Sequence, residues 1–122
     1  MNGRKLLIQW LEKAGDDLIA AKRLVRGKRK IVWAACFHAQ QSAEKYLKAY
    51  LIFEEIEFKP IHDLVQLLRL CEQSDVEFDY LSSLCHSLNP YSVQIRYPKE
   101  INLTNADAQN AIKAAEEIRE FV

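Results

Sequence analysis

A chain of 122 residues, 49% hydrophobic and 28% charged, suits one domain with a continuous core and lies far from the composition of disorder. Zero formal net charge and a pI near 6.8 exclude a whole-molecule field towards nucleic acid or acidic lipid. Cys36, Cys71 and Cys85 are odd in number and lack any Cys-x-x-Cys, which excludes a disulfide framework and a zinc knuckle.

Apolar residues recur at helical spacing and divide the chain into five segments, punctuated by Gly27 and by Pro60, Pro90 and Pro98. The first helix, roughly residues 4–26, carries the stripe Leu7, Leu11, Ala14, Leu18, Ala21 and Val25. Gln9, Glu12 and Lys13 interrupt Leu6-Leu7-Ile8 before a signal-peptide core could form. From Lys22 to Lys30 six of nine residues are basic, and residues 1–30 are net +6 against −6 for residues 31–122. Such a run is a solvated turn in its plain reading and a phosphate contact in its functional one.

The second helix, Ile31 to about Glu55, is expected to be central. Its buried face is Cys36, Ala39, Ala43, Tyr46, Leu47 and Tyr50, with His38, Gln41, Ser42, Lys45 and Lys48 opposite. The run Ile31 to Phe37 is the longest without a polar residue and is too short to cross a bilayer, so a cytoplasmic protein without membrane contact is expected. Pro60 is suited to start a third helix, with Ile61, Leu64, Val65, Leu68 and Cys71 inward and a break at Ser74 or Asp75. A fourth helix carries Phe78, Leu81, Cys85 and Leu88. Asn89 to Asn102 is irregular, and Thr104 with Asp107 forms a capping box for a fifth helix bearing Ala108, Ile112, Ala115, Ile118 and Val122. The expected fold is all-α, an up-and-down antiparallel helical bundle of about five helices in a single domain over residues 1–122. Trp10, Trp33 and Phe37 fall at stripe edges, where they widen the core or form a self-association patch.

No nucleophile elbow and no phosphate-binding Gly-rich loop occurs among three glycines, which excludes a kinase or nucleotidyl-transfer core. His62-Asp63 and Cys85-His86 are adjacent pairs that diverge by about 100° on a helix, so neither holds a metal well. His38, Gln41 and Lys45 stack on one helical face and could read a base edge and a phosphate, or simply form a polar face. In Tyr91 to Pro98, Arg96 could clamp a phosphate while Tyr91 or Tyr97 stacks on a base. Equally, Arg96 could pin the loop to carbonyls or to an acid such as Glu44.

The strings FHAQQSAEKYLKAYL (Phe37 to Leu51), PIHDLVQLL (Pro60 to Leu68) and YSVQIRYP (Tyr91 to Pro98), in that order, resemble the HEPN (higher eukaryotes and prokaryotes nucleotide-binding) domain. The resemblance implies a helical bundle, often a homodimer, frequently encoded beside a minimal nucleotidyltransferase in toxin–antitoxin-like pairs. Family ribonucleases carry an Arg, four to six residues and then a His. No His follows Arg96 through Leu103, and none of His38, His62 or His86 has an Arg ahead at that spacing. Since Arg does not exchange a proton near neutral pH, the pattern points to the non-nuclease branch. The leading reading is a module that binds a nucleotide, or a nucleotidyltransferase partner, through Arg96, Tyr91, Tyr97, His38, Gln41 and Lys45, with His62 and Asp63, and needs no cofactor. The alternatives are a metal-independent ribonuclease using His38 or His62 with Arg96, and a helical scaffold without a small ligand.

Overall fold

The computed structural model describes residues 2–92 and 102–122. Among them are five α-helices and no strand: α1 (Asn2–Leu24), α2 (Val32–Phe53), α3 (Leu64–Ser74), α4 (Ser82–Leu88) and α5 (Asn105–Phe121). Two short 3₁₀ segments, Val76–Leu81 and Asn89–Ser92, flank α4. The bundle has α2 at its centre, packed along α1 and also against α5 and α3.

The connection between α1 and α2 begins where Gly27 takes φ 81°, a conformation that favours glycine. The Ile31 amide then donates to the Leu24 carbonyl at 2.8 Å and closes the turn. At the other end of α2 the Ile56 amide donates to Leu51 and the Glu55 amide to Ile52, the two bonds of a Schellman cap. Its left-handed position is filled by Glu55 at φ 57° instead of glycine. Replacing Glu55 with Gly should therefore stabilise the protein by about 0.5–1 kcal/mol, the relief of the left-handed penalty less the extra chain entropy of glycine. A urea titration with unchanged m-value reads this as a raised midpoint.

The third helix begins at Leu64, four residues after the expected start at Pro60. Side chains explain the shift. Asp63 Oδ1 accepts from the amides of Val65 (2.9 Å) and Gln66 (3.2 Å), while Asn89 Oδ1 accepts from the Leu64 amide at 2.9 Å. Three of the first-turn donors that a helix leaves unpaired are thus satisfied from Leu64 onward. The fourth expected helix divides into the 3₁₀ turn Val76–Leu81, capped by Asp75, and α4. The capping box of Thr104 and Asp107 is formed, with each side chain taking the other residue's backbone N–H.

The core follows the stripes through most of their length: Ala14, Leu18, Ala21 and Val25 of α1, and Ala39, Ala43 and Leu47 of α2, are buried. The stripe of α1 is not covered at its beginning. Leu11 is 40% exposed and Leu7 half-buried, and with Ala49, Tyr50, Phe53 and Val122 they line a shallow apolar groove at one end of the bundle. Trp10 and Phe37 are half-buried and Trp33 is exposed.

All three cysteines are free and fully buried. Burial pushes the thiol of Cys36 up to about 11 and those of Cys71 and Cys85 up to about 12. Folded thiols stay protonated where unfolded ones ionise near pH 9. Their contribution to stability is full below pH 9 and is lost as pH rises through 11 to 12. At pH 8, Ellman's reagent should accordingly find no reactive thiol in the native protein and three per chain in denaturant.

Candidate functional site

Along α2, polar side chains face α1 and the segment before α3 and join in one hydrogen-bonded chain. The expected outward face of His38, Gln41, Ser42, Lys45 and Lys48 is in fact largely covered, with Ser42 and Lys48 buried. The reason lies in what α1 offers: the Ala14 carbonyl accepts from Ser42 Oγ at 2.8 Å, and Asp17 stands between His38 and Lys45.

Asp17 Oδ1 lies 2.9 Å from His38 Nδ1, and Oδ2 accepts from Lys45 Nζ. Lys45 also reaches Gln41 Oε1 at 3.4 Å, and Gln41 donates to Gln40 Oε1 at 2.7 Å. Gln40 in turn donates to the His62 carbonyl at 3.3 Å and to Glu44 Oε1 at 3.4 Å. Glu44 Oε2 completes the chain with Lys48 Nζ and His62 Nδ1, each at 3.0 Å. The side chains of Lys48 and Glu44 are only 6% and 4% exposed, and the Lys48 ammonium also stands 5.4 Å from the centre of the Trp10 ring. Among the described residues no buried side-chain nitrogen or oxygen lacks a partner. A network of this kind is stable because every member is satisfied.

The two histidines sit at the ends of the chain in equivalent settings. A carboxylate only accepts, so each imidazole presents Nδ1–H to its acid and keeps Nε2 for another partner, the tautomer following from the network. His38 keeps a third of its side chain in solvent and His62 two thirds.

Of the residues singled out from sequence, His38, Gln41, Lys45 and His62 are therefore brought together. Asp63 adjoins them but is engaged as the cap of α3, where it also accepts from Asn89 Nδ2 at 3.2 Å. Tyr91, in the second 3₁₀ turn, is half-buried and packs on the core. Burial pushes its phenol up, and the negative charge of Asp107 adds to the effect. Arg96 and Tyr97 lie outside the described residues. Asp17, Gln40, Glu44 and Lys48 went unselected, although an acid four residues before a lysine is a visible helical pairing signal at Glu44 and Lys48. No three His, Cys, Asp or Glu side chains among the described residues are placed to hold a metal ion, and no helix there is long and apolar enough to cross a membrane.

The helix order and this α2 pattern meet a known family. The model of the HEPN domain matches residues 8–122. The chain belongs to the HEPN family. The crystal structure of an archaeal HEPN homologue superposes on this HEPN domain with a TM-score of 0.74 and 26% identity, covering 94% of this chain and 93% of that one. No protein of curated function matches the chain. The matched span includes Asp17, the whole of α2 and His62, so the polar network lies entirely within the HEPN domain.

Proposed function

We propose that this HEPN domain is a binding subunit that presents His62 to a nucleotide, working as a homodimer beside a minimal nucleotidyltransferase in a toxin–antitoxin-like pair. The observation that carries the reading is His62 itself: its ring is two-thirds exposed, while Nδ1 is held by Glu44, a carboxylate whose charge Lys48 offsets inside the protein. Such a ring is oriented before any ligand arrives and loses little freedom on binding. Its Nε2 can accept from a base amino group or, protonated, donate to a phosphate. Arg96, Tyr91 and Tyr97 join the proposed surface on their sequence pattern alone. The apolar groove at Leu7, Leu11 and Phe53 supports self-association.

Calorimetric titration with ATP, alone and with a co-expressed nucleotidyltransferase, tests the proposal. His62→Ala should weaken ATP binding at least tenfold while leaving the melting temperature within a few degrees. Retention of wild-type affinity by His62→Ala would overturn the assignment of the ligand-facing residue.

One observation favours a ribonuclease as the second reading: both His38 and His62 are carboxylate-oriented, as general acids and bases commonly are. On the binding reading, purified protein leaves RNA intact in EDTA. Metal-free cleavage that disappears in His38→Ala or His62→Ala would establish the enzyme instead.

A further inference from the structure

The strongest concentration of positive charge among the described residues begins beside the His38 end of the α2 network, where Arg23 and His38 line one shallow pocket. In the turn between α1 and α2, Arg26, Lys28, Arg29 and Lys30 are all exposed, as is Arg23 in the last turn of α1. None of these five makes an ion pair among the described residues, whereas Lys22 beside them pairs with Glu116 at 2.7 Å. The turn is compact, closed by the Ile31 to Leu24 hydrogen bond, so four cations are held within five residues. Like charges confined in this way repel, and no carboxylate among the described residues forms an ion pair with them. Trp33, three residues after Lys30 in the first turn of α2, leaves 56% of its surface in solvent.

We propose that this tip binds single-stranded nucleic acid, with the cations on the phosphates and Trp33 stacked on a base. Three of the five cations are guanidiniums, whose planar fork matches a phosphodiester bidentately. An unstacked base offers the π-face that an exposed indole can meet, which a closed duplex does not. A lipid surface fits less well, because residues 26–30 contain no apolar side chain to enter a bilayer. This surface needs neither His62 nor a partner protein, so it stands or falls independently of the nucleotide-binding reading.

The test uses the full chain and a fluorescein-labelled oligo(U) 15-mer, read by anisotropy from 50 to 200 mM salt. Affinity should fall with salt at a log–log slope of up to about −3.5, the value for five phosphates on a single strand. The exposed triple variant Lys28→Glu, Arg29→Glu, Lys30→Glu should bind at least tenfold more weakly at unchanged helicity. Trp33→Phe should abolish the quenching of intrinsic fluorescence that the oligonucleotide causes, since Trp10 remains as the unaffected reporter. His62→Ala should bind the oligonucleotide as wild type does. Wild-type affinity in the triple variant, equal affinity for the duplex, or capture by phosphatidylserine vesicles without oligonucleotide binding would each overturn the proposal.

Discussion

Glu44→Ala should destabilise the protein by about 3–5 kcal/mol, the largest effect expected of any polar substitution here, because it strands an ammonium in the interior. Lys48 is 6% exposed and has Glu44 as its one ion-pair partner among the described residues, with only the face of Trp10 beside it. The same change removes an acceptor from Gln40 and frees the ring of His62. Glu44→Gln keeps the shape and should still cost most of this, since a neutral amide does not offset the charge. The double variant Glu44→Leu, Lys48→Met should recover much of the loss, as apolar replacement of a buried pair often does. Guanidinium titrations of wild type, Glu44→Leu, Lys48→Met and the double variant complete a cycle that gives the coupling directly. Near-additive losses from the single changes would show that the pair is held apart by water.

Phe78→Ala should cost about 3–5 kcal/mol, although residue 78 sits in a short 3₁₀ turn that looks peripheral. Phe78 is 2% exposed, its ring centre lies 4.4 Å from that of Tyr50 on α2 and 5.0 Å edge-on from Phe121 on α5. It thus ties the segment before α4 to both long partners, and its removal opens a cavity walled by two helices that cannot both collapse. A loss of this size is a large share of the 5–15 kcal/mol that holds a typical domain together. Thermal unfolding followed by circular dichroism measures it. A change under about 1 kcal/mol would mean that Tyr50 and Phe121 close on each other when Phe78 is gone.

These two positions also show what was legible in the sequence. Phe78 lay in a readable stripe with Leu81, Cys85 and Leu88, because apolar burial leaves a periodic trace even when the helix is partly 3₁₀. The capping box at Thr104 was readable because its two residues speak to each other locally. The α2 site was only half legible. His38, Gln41 and Lys45 form a visible row, but whether such a row meets solvent or another helix depends on Asp17, twenty-one residues before His38, and no periodicity within α2 encodes that. The true start of α3 was missed for a similar reason. Pro60 carries a local helix-start signal, yet Asn89 reaches across the fold to take the Leu64 amide. The exposure of Leu7 and Leu11 was not legible either, since the end of α2 and Val122 flank them without closing the groove, and the stripe within α1 does not encode that.

The position of α5 against α2 has a consequence during synthesis. Fifty-one residues separate Phe53 from Asn105, so at about 5–20 residues per second the ribosome takes roughly 3–10 s to move from the end of α2 to the start of α5. Helices form in microseconds or less, and α1 can fold onto α2 well within that delay. Through those seconds the face of α2 that awaits α5 has no cover, and the nascent hairpin is a sticky intermediate. Slowing translation after residue 53 would prolong that exposure and lower the yield of folded protein, whereas a trigger-factor-type chaperone acting on the same interval would raise it.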